Sequence, residues 1–566
     1  MPSLNQLVYA SGQENVNLFI VKFVLPFVVA ASVAIGALGF VLIQFGLLDP
    51  FFLIPVIVFA PLLGAAVAFG YLFYQLESKK GDIEDNLPLF VTFLGTIAQK
   101  NIKYSNFFMS INNNPFYGEI SFEFRKIYNL AINWRLGYAA AARVVASITP
   151  SQLFGRFLHR LSNTIEYGED LGAYLLAEQG TLMADIEIGY QESIYFISTL
   201  SELFSALLTS FAFMTIFIVL LPLFIQVELG EILLWLLIGL VIVDVFFIIF
   251  GRAVLPRDKL LHEMPEQSPE QEQLFLLLPI SAIAAVVFGV AAYFLLPSAP
   301  LTLQLAIALT PLLATGWIAR NIEARIKNRE TSFQSFIRSL GETAENHRGS
   351  FEPLLGKMKT YKYEDLNEIL DRLHRRVQIT GNIFTSWKFF SMESSSRYVY
   401  KFGSMFLEAI YSGAGPNQVG TVISQNLNRL LQVRKLRDKT AGGAVGEVYG
   451  AFVGIAMSMF ITAGLAYFLS SVFSGFDLTN ASQLPAFSFM NFAALDVGQV
   501  KFFMIIMVFL HAVFSAVFIK ILDGGPVQSG FFHMAILAWI MAVIDFGVVN
   551  LFEGISAGAL NTGATT

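Results

Sequence analysis

The chain of 566 residues contains no cysteine. That excludes disulfide staples, thiolate metal sites and a cysteine nucleophile, although it does not fix the redox compartment. Histidine is scarce as well, with six residues, and no two of them stand three or four positions apart as they would on one face of a metal-binding helix. The pair His262-Glu263 is not followed by the second histidine of a zinc-protease helix. Charge is the third shortage. Only 14% of residues are Asp, Glu, Lys or Arg, against 55% hydrophobic and a mean hydropathy of +0.62. A soluble enzyme of this length would be far less apolar, so the chain belongs in a bilayer.

The phosphate-binding motifs are missing too. The nearest approach to a P-loop, Gly356-Lys357, is followed by Met358 and has Phe351 where the first glycine should stand. The glycines Gly413, Gly415 and Gly420 do not make a dinucleotide pattern and read as a turn between helices. No catalytic, cofactor or metal site is expected.

Apolar runs are what the chain has in abundance. A spanning helix needs about 20 mostly apolar residues, and nine stretches qualify: 19–47, 51–74, 203–227, 232–250, 274–296, 301–318, 446–473, 500–520 and 531–552. Residues 1–17 carry Glu14 alone as charge and lack the basic segment and cleavage site of a signal peptide, so the first stretch is expected to be an uncleaved span. Two long polar-to-mixed insertions remain as the places for soluble domains. Lys and Arg concentrate there, with 10 in 77–202, 3 in 251–273 and 20 in 320–447, leaving only Lys22, Lys501 and Lys520. Basic residues beside spans stay in the cytoplasm. The expected topology therefore puts the N-terminus and both large domains inside and the C-terminus outside, with only Lys501 against the rule.

Within both insertions apolar residues recur at three and four, as in Leu366, Ile369, Leu370 and Leu373, which predicts helices. The apolar stretch 131–149 carries Arg135 and Arg143, costly at bilayer depth, and is expected to be a soluble helix. The fold class is thus an all-α polytopic membrane protein with about nine spans and two cytoplasmic helical-bundle domains. Its expected parts are 1–76 (spans), 77–202 (first soluble domain), 203–318 (spans with a polar linker at 251–273), 319–445 (second soluble domain) and 446–566 (spans).

The halves are related. FVTFLGTIA, with Phe90, Leu94, Gly95 and Ala98, matches FIRSLGETA, with Phe336, Leu340, Gly341 and Ala344; IEYG at Ile165–Gly168 matches IYSG at Ile410–Gly413. The spacing between paired glycines, 73 and 72 residues, is nearly conserved within the chain. Each copy is two spans, a domain and two spans in one orientation, which is a parallel duplication. The four glycines mark turns or close helix contacts.

Ionisable groups inside expected spans, Asp244, His511, His533 and Asp545, are functional candidates by default, and a transporter relay through Asp244 and Asp545 is one reading. Hydrogen bonding between helices is the other. The second domain is basic, with 20 Lys and Arg against 13 Asp and Glu, while the first has 10 against 14. Its bases cluster at Arg372, Arg375 and Arg376, and at Arg434, Lys435, Arg437 and Lys439. Anionic lipid headgroups suit the second cluster; an acidic protein partner suits the first. Nucleic acid is not expected, since no aromatic interleaving accompanies the charge. Asn480-Ala481-Ser482 is a glycosylation sequon in an expected outer loop.

The run RVQITGNIFTSWKFFSMESSSRYVYKFGSMFLEAI, then VISQNLNRLLQVRKLRDKTAGG entering a span, with FIRSLG at the head of the same domain, resembles the platform proteins of type II secretion and type IV pilus machines, and among them those of the archaellum. The resemblance is specific over 330–450, including Trp387, Phe390, Glu393 and Ser394–Ser396, and weaker over 85–205. It implies a non-catalytic platform in the cell membrane. Its implied partners are a hexameric cytoplasmic ATPase docked on the basic positions and filament subunits of the pilin type (archaellins) beside the spans. A homodimer would give a pseudo-fourfold face. A platform for an adhesion pilus or secretion system is the implied alternative.

Overall fold

A computed structural model of the chain describes residues 24–26, 28, 53–98, 104–112, 114–221, 229–255, 259–346, 351–474 and 496–563. The expected span at 19–47 and the sequon at Asn480 lie outside these residues, apart from four residues of the former. Among the described residues the regular elements are helices: α1 (Leu53–Ile97), α2 (Tyr104–Asn112), α3 (Glu119–Ile132), α4 (Tyr138–Ile148), α5 (Gln152–Tyr167), α6 (Leu171–Leu220), α7 (Leu229–Val254), α8 (Pro269–Leu295), α9 (Leu301–Asn346), α10 (Phe351–Met358), α11 (Asn367–Thr380), α12 (Ile383–Ser394), α13 (Arg397–Tyr411), α14 (Pro416–Ser474), α15 (Val497–Asp523) and α16 (Gly530–Gly563). The all-α expectation holds. Among the described residues seven helices, α6 to α9 and α14 to α16, are long and apolar enough to cross a membrane. The stretch 131–149 instead holds the 11-residue α4, and its Arg143 pairs with Glu166.

Helix ends fall where side chains or glycine satisfy the free backbone groups. Ser268 and Gln271 form a capping box at the start of α8, Asn382 caps α12 through Thr385 N–H, and Asp496 caps α15 through Gln499 N–H. One of the paired glycine positions lies at such an end in both halves. Gly168 (φ 68°) and Gly413 (φ 90°) both take the left-handed conformation after a short helix, and three residues beyond each the long helices α6 and α14 begin.

The described residues divide into two compact units, Met1–Ile186 with Met405–Asn426, and Glu187–Ser404 with Leu427–Thr566. In the first, Phe90 is wholly buried at an aromatic centre, its ring 5.4–6.3 Å from those of Tyr117, Phe124, Phe154 and Phe157. Gly95 allows a close approach, since a Cβ there would lie 3.0 Å from Val422 and 3.1 Å from Gln179. Beside it Asn426, buried, accepts from Gln179 at 2.9 Å and donates to Thr92 at 3.0 Å. Met405–Asn426, within the stretch read as the second domain, thus packs on the first.

In the second unit Phe336, the repeat counterpart of Phe90, is wholly buried too, its ring 5.6–6.2 Å from those of Phe333, Tyr363, Trp387 and Phe390. Its spans share a core in which Phe204, Phe247, Phe452 and Phe518 are at most 2% exposed. The helices α9 and α16 meet at Gly316, where a Cβ would stand 2.2 Å from Phe532 N and 2.7 Å from its Cα. Small residues at such crossings let helices pack without a hydrophobic driving force. Because the obstruction is backbone, Gly316→Val is expected to push the helices apart at about 1–3 kcal/mol, read as a lower melting temperature of the purified chain in detergent, while Gly547→Val on α16, with nothing within 4 Å, leaves it unchanged.

Candidate functional site

The turn between α12 and α13 carries the run Glu393-Ser394-Ser395-Ser396-Arg397. Ser395 sits at φ 60°, in the left-handed region that a serine enters only under constraint. The constraint is the linker 259–268, which lies against this turn. Leu261 and Ser396 form an antiparallel bridge, with His262 N–H donating to Ser395 O at 3.1 Å and Arg397 N–H to Leu260 O at 2.9 Å. All three serine side chains are buried. The Ser395 hydroxyl lies 2.8 Å from Ser268 Oγ and donates to the Glu270 carboxylate at 2.5 Å; Ser396 donates to Glu330 at 2.5 Å.

Charge closes the arrangement. Glu330, with no exposed surface, pairs with Arg434, and Arg329 bridges Glu270 at 2.9 Å while donating to Ser394 O at 3.2 Å. Glu393 holds two arginines, Arg372 Nε at 2.9 Å and Arg376. Glu270, Glu330 and Glu393 thus each have an opposite partner, as a low-dielectric site requires. The serines are tied into this network and are not presented as nucleophiles.

His262 is almost wholly buried here. Its Nδ1 accepts from Met264 N–H at 3.3 Å, so the proton sits on Nε2 and is donated to Met392 O at 3.1 Å. Burial lowers the imidazole pKa below its ordinary 6.5, and the bond to Met392 opposes that shift. A lowered folded-state pKa contributes stability that is complete above 6.5 and lost as pH falls below it. Proteolysis of the linker is therefore expected to quicken as pH drops from 7.5 toward 5.5, and His262→Gln, which can keep both bonds without titrating, should flatten that dependence.

The seven basic candidates separate by face. Arg375, Lys435 and Lys439 are exposed. Arg372 and Arg376 are half-buried against Glu393, and the Arg376 guanidinium also lies 5.1 Å from the centre of the Phe389 ring. Arg434 and Arg437 are turned inward: Arg434 pairs with Glu330 over the Tyr398 ring, and Arg437, 4% exposed, donates to Ile521 O at 3.1 Å and Leu522 O at 3.3 Å. Both guanidiniums are thus bonded inside the chain, whereas Lys435 and Lys439 are open to solvent.

The intramembrane candidates are buried and paired. His511 Nδ1 lies 3.1 Å from both Asp244 oxygens, with Ser515 Oγ 3.2 Å from its Nε2; Thr302 donates to Asp545 at 2.6 Å; His533 Nδ1 is 2.9 Å from the Tyr449 hydroxyl. These bonds join α7 to α15, α9 to α16 and α14 to α16, in keeping with helix bonding. Sequence reasoning missed Ser268, Glu270, Arg329 and Glu330, although the Ser-x-x-Gln capping signature at Ser268 was there to be read.

The family described as type II secretion system, protein F, matches residues 90–219. The chain carries a type II secretion system F domain. It is also 27% identical over 541 residues to flagella accessory protein J of Methanocaldococcus jannaschii, covering 93% of this chain and 94% of the relative. The flagella accessory protein J of Methanococcus voltae is 27% identical over 537 residues, with the same coverages. No solved structure matches. The family resemblance read from the sequence is borne out, with one change of place. The F domain that matches runs from the Phe90 core to the end of α6, in the half where the resemblance was read as weaker. With seven long apolar helices among the described residues, the chain is a multi-pass membrane protein.

Proposed function

We propose that the chain is the non-catalytic membrane platform of a type IV filament machine, the archaellum, coupling a hexameric cytoplasmic ATPase to insertion and rotation of pilin-like subunits, the archaellins. The observation that carries this is the similarity to flagella accessory protein J across 93% of the chain. The distribution of Lys and Arg supports a topology with the N-terminus and the soluble domains 77–202 and 319–445 in the cytoplasm and the C-terminus outside. The ATPase docks on the second domain through Arg375, Lys435 and Lys439, with Arg372 and Arg376 held beside them by Glu393. Anionic lipid headgroups neighbour Lys435 and Lys439 close to the membrane, and two copies pair into the working platform. Force then passes through packed helices and no reaction is needed.

The test is recruitment. Vesicles carrying the purified chain should bring down the assembly ATPase of the same cells, and empty vesicles should not; no recruitment in low salt would remove the reading. A transporter using Asp244 and Asp545 predicts instead that Asp545→Asn abolishes a flux and leaves filaments intact.

A further inference from the structure

A second charged cluster lies apart from the serine turn, where α9, α14 and the turn between α15 and α16 meet. Glu323 of α9, nearly buried, lies 3.1 Å from Lys327, 3.3 Å from Lys520 of α15 and 3.4 Å from the Ser529 hydroxyl that donates to it. Lys327 reaches across to Asp438 of α14 at 3.0 Å. Lys520 also approaches Asp523 at 3.4 Å. From α14, Arg437 donates to the carbonyls of Ile521 and Leu522, the last turn of α15, where a cation is favoured by the helix dipole.

The turn is shaped to receive these groups. Gly524 (φ 81°) and Gly525 (φ 74°) bring bare backbone against them. A Cβ on Gly525 would lie 2.6 Å from a Glu323 oxygen, and one on Gly524 would lie 3.1 Å from Arg437 Cζ. The turn is thus gripped from two sides, by a carboxylate on α9 and a guanidinium on α14.

Those two helices are the ones that matter for transmission. α9 and α14, of 46 and 59 residues, each run unbroken between soluble domain and span. Apolar contacts along the spans are non-directional and permit sliding. A carboxylate shared by lysines of two helices permits none without breaking a charged hydrogen bond in a poorly solvated place. We propose that Glu323, Lys327, Arg437, Asp438 and Lys520 form a mechanical joint through which movement of the second soluble domain reaches α15 and α16. This rests on the platform reading and adds where coupling happens. It gives Arg437 a transmitting role.

Spatial adjacency alone does not establish coupling, so docking and output are measured separately. Lys520→Met removes one charge from the joint. Gly525→Ala removes none and presses a methyl group on the Glu323 carboxylate. Neither residue is on the proposed ATPase face. In cells lacking the native gene, each variant is expected to accumulate in the membrane and recruit the ATPase within twofold of wild type while filaments per cell fall at least tenfold. Wild-type filament numbers in both variants would overturn the joint. So would equal losses of recruitment and filaments, which place the defect in docking, and loss of the chain itself in both, which makes the cluster a folding element only. Failure of the platform reading would show differently, as no recruitment by the unaltered chain.

Discussion

Glu330→Ala is expected to cost about 3–5 kcal/mol and to unfold the second soluble domain under conditions where the wild-type chain is intact. Glu330 is fully buried, accepts the Ser396 hydroxyl at 2.5 Å and faces the Arg434 guanidinium, which is itself 8% exposed. Removing the carboxylate leaves Arg434 in a dry site without its counter-charge, and the loss compares with a total stability of about 5–15 kcal/mol for an ordinary domain. Glu330→Gln, able to keep the serine bond, should fall between. Replacing both partners, Glu330→Leu with Arg434→Leu, should recover most of the loss because no charge then remains to be desolvated. Thermal melts of the detergent-purified chain with limited proteolysis read all three. A Glu330→Ala chain as stable as wild type would show that the pair is not a keystone of the serine turn.

Arg375→Glu is expected to weaken ATPase binding at least tenfold, about 1.4 kcal/mol, without changing stability by more than about 0.5 kcal/mol. Arg375 is exposed on α11, one turn from Ile379, which is 84% exposed. Basic and apolar residues together on a rigid helix suit an acidic face with an apolar centre. Added salt should weaken binding of the wild-type chain, and more steeply than that of the variant. Arg437→Glu makes the contrast: its side chain is bound to carbonyls inside the chain, so its reversal should lower stability as well as filament number. Vesicle recruitment across a salt series, run beside a melt of each variant, distinguishes the outward base from the inward one. Unchanged recruitment by Arg375→Glu would remove this cluster from the interface.

Much of the fold was legible because it depends on local pattern. Periodicity of three and four marked the helices, apolar runs the spans, and paired glycines the duplication, whose counterpart in space is the left-handed end before α6 and before α14. The inward turn of Arg434 and Arg437 is legible in the helical pattern too. Leu430, Val433, Ala441 and Ala444 are buried along α14, and Arg434 and Arg437 fall on that same stripe, whereas Lys435 and Lys439 do not. Counting bases as clusters along the sequence merges faces that a helix separates. The docking of the linker on Ser395 was beyond reach, because a contact across some 130 positions leaves no local trace. The serine run carries the family resemblance in the sequence, and only the structure ties it to Glu270 and Glu330.

The most direct test of the platform account is a clean deletion of this gene in a strain that still produces the filament subunits and the ATPase. The account predicts that surface filaments and swimming disappear, that the ATPase moves from membrane to cytosol, and that both return with the wild-type chain. Filaments assembled at normal number in the deletion strain would contradict it.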